Sequence, residues 1–299
     1  MSPHSLRRSL LILPLLASQL RAQAPSSTPA PPAAALATSA ASERLFPDAP
    51  AGFKQDRADV AHGKVDTMTY ASAVTGGTRK ASVYLPPGYT TDRKYPVLYL
   101  LHGIGGDETE WLRFASPHLV LDNLIAEGKA EPMIVVMPNG RALADDRAEG
   151  DIFSPAKVAG FAAFERDLLE CLIPAVEATY AARRDREGRA IAGLSMGGGQ
   201  ALNFGLGHLD TFAWIGAFSP APNTRPDAAL VSDSEAARTG LKLLYLSCGE
   251  KDGLMNVSRR VLALLDRHQV PRLWNVDGFG HDADHWGSNL YHFSRRIFR

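Results

Sequence analysis

Two kinds of hydrophobic pattern alternate along this chain. Val65 to Ser72 and Lys80 to Leu85 read as two antiparallel strands, joined by the turn chemistry of Thr75-Gly76-Gly77-Thr78. Pro96 to Leu101 and Met133 to Met137 are continuous apolar runs, as expected of strands buried on both faces of a parallel sheet. Phe212 to Phe218, Lys242 to Ser247 and Arg272 to Val276 repeat that signature. Helical periods lie between them. Phe161, Phe164, Leu168, Leu172 and Val176 mark a long amphipathic helix from about Gly160 to Tyr180, with Pro174 expected to kink it. Asn123 to Glu127, Val257 to His268 and Trp286 to Phe298 read as further helices. Alternation of strand and helix over roughly 200 residues implies a parallel sheet covered by helices on both faces. The polar, Gly-rich stretch 140–158 reads as a long loop.

The chain before residue 43 carries neither pattern. Arg7 and Arg8 precede an apolar run, Leu10 to Leu16, and Ala22-Gln23-Ala24 has the spacing of a signal-peptidase site. Residues 1–24 therefore read as a secretory signal peptide, although Pro25 is an unfavourable residue after the cut and an uncleaved anchor is the alternative. Residues 25–42, rich in Pro, Ala and Ser, read as a flexible linker, and 43–299 as a single folded domain. The expected location is extracellular or periplasmic.

Composition narrows the function. The 299 residues carry 32 basic and 32 acidic side chains, with no long basic run, which argues against nucleic acid as a partner. The sequence leaves the pairing of Cys171 and Cys248 open, and also the oligomeric state.

The chemistry converges on one rim. In an open α/β sheet, ligands bind beyond the carboxyl ends of the strands. His102-Gly103, Asn139, Ser195, Gly249 to Asp252 and His281 all follow predicted strands. Gly193-Leu194-Ser195-Met196-Gly197 is a G-x-S-x-G elbow between strand and helix, which exposes Ser195 on a tight turn. A serine hydroxyl needs an adjacent base, and that base needs an orienting carboxylate, here in the chain order Ser, acid, His. Asp252 is the expected acid, with Glu250 the alternative and Asp233 and Asp277 weaker ones. His281, after a Gly-x-Gly turn, is the expected base, and His285 its rival. A metal reading of His281, Asp282, Asp284 and His285 lacks a ligand from a second element. His102 reads as structural. The loop His102-Gly103-Ile104-Gly105-Gly106 is glycine-rich in the manner of an oxyanion hole, for which the N–H of Met196 is the second donor. Trp111 and Trp286 are candidates for stacking on a sugar or phenolic ring, with core packing as the alternative for each.

Tyr95 to Asp107, Asp122 to Gly128, Ala190 to Gly199, Cys248-Gly-x-x-Asp252 and Gly280-His-Asp282 together resemble the esterase D-like "putative esterase" family. Within it they are most similar to carbohydrate esterase family 1, the feruloyl and acetylxylan esterases. The resemblance runs from about residue 50 to the C-terminus. It implies an α/β-hydrolase fold, secretion, and no cofactor or metal. It carries the nucleophile to Ser195, the acid to Asp252, the base to His281 and the oxyanion donors to the backbone of Ile104 and Met196.

The expected function is a secreted feruloyl esterase acting on plant arabinoxylan, with acetylxylan esterase or short-chain arylesterase as the alternative. An S-formylglutathione-type hydrolase, an acyltransferase and an inactive sugar-binding module are further rivals. Only about twenty residues separate the Phe218 and Lys242 strands, too few for a large lid domain. An open site suits an ester carried on a polymer.

Overall fold

The computed structural model describes residues 43–299; the expected signal peptide and the expected linker lie outside them. The chain opens with a hairpin, β1 (Lys64–Ser72) and β2 (Gly77–Leu85). It continues through β3 (Val97–Leu101), α1 (Glu110–Phe114), α2 (Pro117–Ala126), β4 (Ile134–Pro138) and α3 (Pro155–Asp167). A π turn at Leu168–Leu172 leads into α4 (Ile173–Thr179). Then follow β5 (Arg189–Leu194), α5 (Ser195–Gly207), β6 (Trp214–Phe218), α6 (Asp227–Leu230) and α7 (Ser234–Gly240). The chain closes with β7 (Leu243–Gly249), α8 (Met255–Arg267), β8 (Leu273–Asp277) and α9 (Ala283–Ser294).

The eight strands form one sheet in the order β1-β2-β4-β3-β5-β6-β7-β8. The β1–β2 and β2–β4 pairs are antiparallel and every other pair is parallel. This is the α/β-hydrolase fold. Among the described residues no helix is long and apolar enough to cross a membrane.

The continuous apolar strands have a simple cause. Side chains alternate between the two faces of a strand, and here both faces are covered. Val97, Tyr99 and Leu101 pack with Phe164, Leu172, Val176 and Leu202 on one side. Leu98 and Leu100 pack with Leu121, Leu124, Leu290 and Phe293 on the other.

The amphipathic helix differs in its details. It begins at Pro155, inside the stretch read as loop, where Ser154-Pro155 makes a helix start: proline at the first helical position gives up an N–H that would be orphaned anyway. Pro174 is accommodated by the widened turn before it, which takes up the missing backbone donor. All five predicted core residues of this helix are buried. The segment between β6 and β7 holds only two short helices, α6 and α7, and no lid domain.

Candidate active site

The strand-to-helix elbow is built from steric necessity. Ser195 has φ +52°, the left-handed region that non-glycine residues rarely occupy. A Cβ on Gly193 would lie 2.4 Å from the Gly197 backbone, and one on Gly197 would lie 2.4 Å from the Leu101 carbonyl oxygen. Only glycine fits at either position. The turn presents Ser195 Oγ 3.0 Å from His281 Nε2. His281 Nδ1 lies 2.8 Å from Asp252 Oδ2.

Asp252 stands in the turn after β7 and serves two neighbours at once. One oxygen accepts the Leu254 N–H (2.7 Å), and the other faces His281. Its side chain is buried. Burial alone raises its pKa, but hydrogen bonds from His281, Ser219 and the Leu254 N–H outweigh it and hold the carboxyl below its ordinary range. It is therefore an anion beside the imidazole.

The rival residues are committed elsewhere. Asp233 caps α7 by accepting the Ala236 N–H. Asp277 is bound through both oxygens to His285 Nδ1 (2.9 and 2.8 Å), and His285 Nε2 faces Ser247 Oγ at 3.2 Å. All three of these groups are buried, so the array braces the sheet beneath the site and no substrate reaches it. Glu250 makes no side-chain bond to His281. Asp282 caps α9 through the N–H groups of Asp284 and His285. His281, Asp282 and His285, weighed above as metal ligands, each have a separate partner instead.

The glycine-rich loop after β3 is held from three sides. The Gly140 N–H donates to His102 Nε2 (2.7 Å), so that nitrogen is unprotonated and Nδ1 carries the hydrogen, which it donates to the Gly103 carbonyl at 2.6 Å. A trans peptide points its N–H opposite its carbonyl. Holding the Gly103 oxygen therefore turns the Ile104 N–H away from His102. Burial lowers the His102 pKa to about 4, so the ring stays neutral near pH 7. Glu110 accepts the Gly103 N–H at 2.7 Å. Arg141 donates to the Ile104 carbonyl at 2.6 Å. Neither the Ile104 nor the Met196 N–H donates to another group among the described residues. Met196 lies in the first turn of α5, where backbone N–H groups have no partner within the helix.

The two tryptophans do not face a substrate. Trp111 is 1% exposed, donates its indole N–H to the Leu101 carbonyl (2.9 Å) and packs edge-on against Phe218. Core packing wins because α1 turns the ring under the sheet. Trp286 is buried too, its ring perpendicular to that of His281 at 5.2 Å between centroids. It backs the imidazole. The aromatic residue at the site is Phe153, 69% exposed, on the loop before α3. Together with Ile104, Val158, Met196, Pro222 and Leu254 it lines an open, largely apolar cavity of about 520 Å³ that reaches Ser195.

Glu110, Arg141 and Phe153 were not singled out in the sequence. Arg141 directly follows the Pro138-Asn139-Gly140 strand end, so the rim rule that found the other residues would have reached it. Glu110 and Phe153 carry no local signal. Cys171 and Cys248 are both free thiols.

Residues 72–290 match the family model described as "Putative esterase". The chain belongs to this family, and its folded domain is that of a carboxylic-ester hydrolase. It is 32% identical over 250 residues to an endo-1,4-beta-xylanase/feruloyl esterase of Xylanibacter ruminicola, a match covering 81% of this chain and 32% of the relative. The chain thus spans about a third of that curated relative's length. Among solved structures it resembles a CE1 ferulic acid esterase of Anaeromyces mucronatus in complex with ferulic acid, at TM-score 0.77 and 28% identity, covering 84% of this chain and 96% of that one. A second ferulic acid esterase matches at TM-score 0.64 and 30% identity, covering 79% and 97%. The resemblance to carbohydrate esterase family 1 read from the sequence holds.

Proposed function

We propose that the protein is a secreted feruloyl esterase, releasing hydroxycinnamates from plant arabinoxylan through an acyl-enzyme. The observation that carries this reading is the hydrogen-bonded line Ser195–His281–Asp252 opening onto an apolar cavity. His281 Nε2 takes the Ser195 proton as the oxygen attacks the ester carbonyl. Asp252 keeps the Nδ1 hydrogen in place and stabilises the imidazolium. The Ile104 and Met196 N–H groups receive the developing oxyanion. His281 then protonates the departing alcohol. A water, deprotonated by the same nitrogen, attacks the acyl-serine and frees the acid.

The cavity favours an aromatic acyl group over acetyl. An acetyl group would leave most of about 520 Å³ unfilled. Phe153 offers an exposed ring for stacking. The relatives named as feruloyl esterases agree with this reading. Residues 1–24 as a signal peptide and 25–42 as a linker complete it, since a polymeric substrate has to be met outside the cytoplasm. No cofactor or metal takes part in this scheme.

The test is release of ferulate from methyl ferulate and feruloylated arabinoxylan beside release of acetate from acetylated xylan, with Ser195→Ala as control. Ferulate release that is lost in the variant is expected. Acetate release alone would make the protein an acetylxylan esterase.

A further inference from the structure

A second line of serine, histidine and aspartate runs beneath the active site. Ser247 Oγ lies 3.2 Å from His285 Nε2, and His285 Nδ1 lies 2.8 Å from Asp277 Oδ2. The Ser195–His281–Asp252 line has 3.0 and 2.8 Å at the same two contacts. The second line is buried, so no substrate enters it. Hiding an acid and an imidazole from water is costly unless their polar atoms are matched. Here they are. Asp277 Oδ2 also accepts the Asn289 amide at 2.7 Å, and Oδ1 accepts the Phe279 N–H at 3.2 Å. Asn289 Oδ1 in turn accepts the Tyr245 hydroxyl (2.7 Å) and the Asn275 amide (3.0 Å). None of these side chains leaves a buried polar atom without a partner. A network satisfied in this way rigidifies one arrangement.

What it fixes is the meeting of two turns. Asp277 ends β8. Its backbone carbonyl accepts the Glu250 N–H (2.8 Å), in the turn that carries Asp252. Its side chain accepts the Phe279 N–H, in the turn that carries His281. The Phe279 carbonyl receives the Lys251 N–H at 3.0 Å and closes the tie between the turns. A Cβ on Gly249 would lie 2.4 Å from that same carbonyl oxygen, so the two turns touch with no room to spare. His285 holds the other side of the base. Its N–H donates to Asp282, the residue after His281, at 3.0 Å. Trp286, the residue after His285, stands perpendicular to the His281 imidazole. The bond between Asp277 and His285 therefore joins the two segments that flank His281.

We infer that Asp277 and His285 are positioning residues for the hydrolytic reaction: they set the separation of Asp252 from His281 and touch neither substrate nor the reacting atoms. The inference rests on the ester-hydrolase reading above. Asp277 holds the chain before His281 and His285 the chain after it. Their mutual bond keeps the imidazole in line between Asp252 and Ser195.

Two measurements on the full chain test it. The first is a double-variant cycle on methyl ferulate. Asp277→Asn and His285→Gln strike opposite ends of one contact, and circular dichroism shows that the variant used is folded. Each is expected to lower kcat by roughly tenfold to a hundredfold, the scale of a small misplacement of the base, with KM changed less than about twofold. In a His281→Ala background the same substitutions are expected to change kcat by less than about twofold, because groups that act as a unit are not additive. Ser247→Ala, at the far end of the line, is expected to lose less than either. Equal losses with and without His281 would make the pair structural only and overturn the inference.

The second is long-range proton–nitrogen NMR of histidine-labelled protein, which needs no turnover. The ring nitrogen signals of His281, assigned by their loss in His281→Gln, are expected to move in Asp277→Asn and His285→Gln as the bond to Asp252 weakens. Unchanged signals would overturn the inference, whether or not any ester is hydrolysed. Signals that move in a protein that hydrolyses neither methyl ferulate nor acetylated xylan would uphold the positioning and sink the esterase reading.

Discussion

His102 Nδ1 and the Gly103 carbonyl oxygen lie 2.6 Å apart, while the opposite ring nitrogen of His102 receives the Gly140 N–H. One imidazole thus links the ends of β3 and β4 and sets the direction of the peptide N–H that follows. On this account His102→Ala lowers kcat on methyl ferulate about a hundredfold, the effect of losing one oxyanion donor, with little change in KM. Steady-state kinetics on a variant shown to be folded by circular dichroism is the check.

Glu110 supports the same loop from below. Its buried carboxyl has a pKa raised by burial, opposed by the Gly103 N–H. Glu110→Gln keeps an acceptor for that N–H and is expected to retain most activity. Glu110→Ala leaves the N–H unpartnered and is expected to cost tenfold or more in kcat, an order-of-magnitude figure from the penalty of an unsatisfied buried donor. Equal kinetics for the two variants would remove Glu110 from this role.

Much of this arrangement was legible in the sequence because it depends on local rules. Buried strands announce themselves as apolar runs, and the elbow needs glycine at 193 and 197 for reasons of contact alone. Strand ends then placed Ser195, Asp252 and His281 on one rim. What was not legible depends on contacts across the fold. Trp111 and Trp286 sit beside site motifs in the chain, yet α1 and α9 turn both rings into the core. Arg141 meets Ile104 across 37 positions, a contact that no window of sequence contains. The start of α3 at Pro155 was hidden inside a polar stretch whose Ser-Pro signal is short.

Phe153 is exposed and makes no core contact, so its removal should leave stability unchanged within about 0.5 kcal/mol. Phe153→Ala is expected to lower kcat/KM for methyl ferulate by roughly tenfold, a stacking contribution, while sparing a short aliphatic ester. Parallel losses on both esters would argue against stacking.

Stability should fall in mild acid. Burial lowers the pKa of both His102 and His292 from an ordinary 6.5 to about 4. Between those values the unfolded chain binds protons that the folded one does not, so stability declines as pH falls from 6.5 toward 4 and this contribution levels off below. His292 lies outside the site, bonded to the Pro47 carbonyl at 2.7 Å. His292→Gln is expected to flatten the decline. Urea midpoints measured from pH 7 to pH 4 on both proteins would show it, and unchanged slopes would contradict the assignment.

In the proposed reaction Ser195 carries the acyl group. The most direct measurement is intact-protein and peptide mass spectrometry after acid quench of a few seconds' reaction with methyl ferulate. A single feruloyl adduct on the peptide containing Ser195 is expected, absent in Ser195→Ala. An adduct on another residue, or undiminished turnover by the variant, would contradict it.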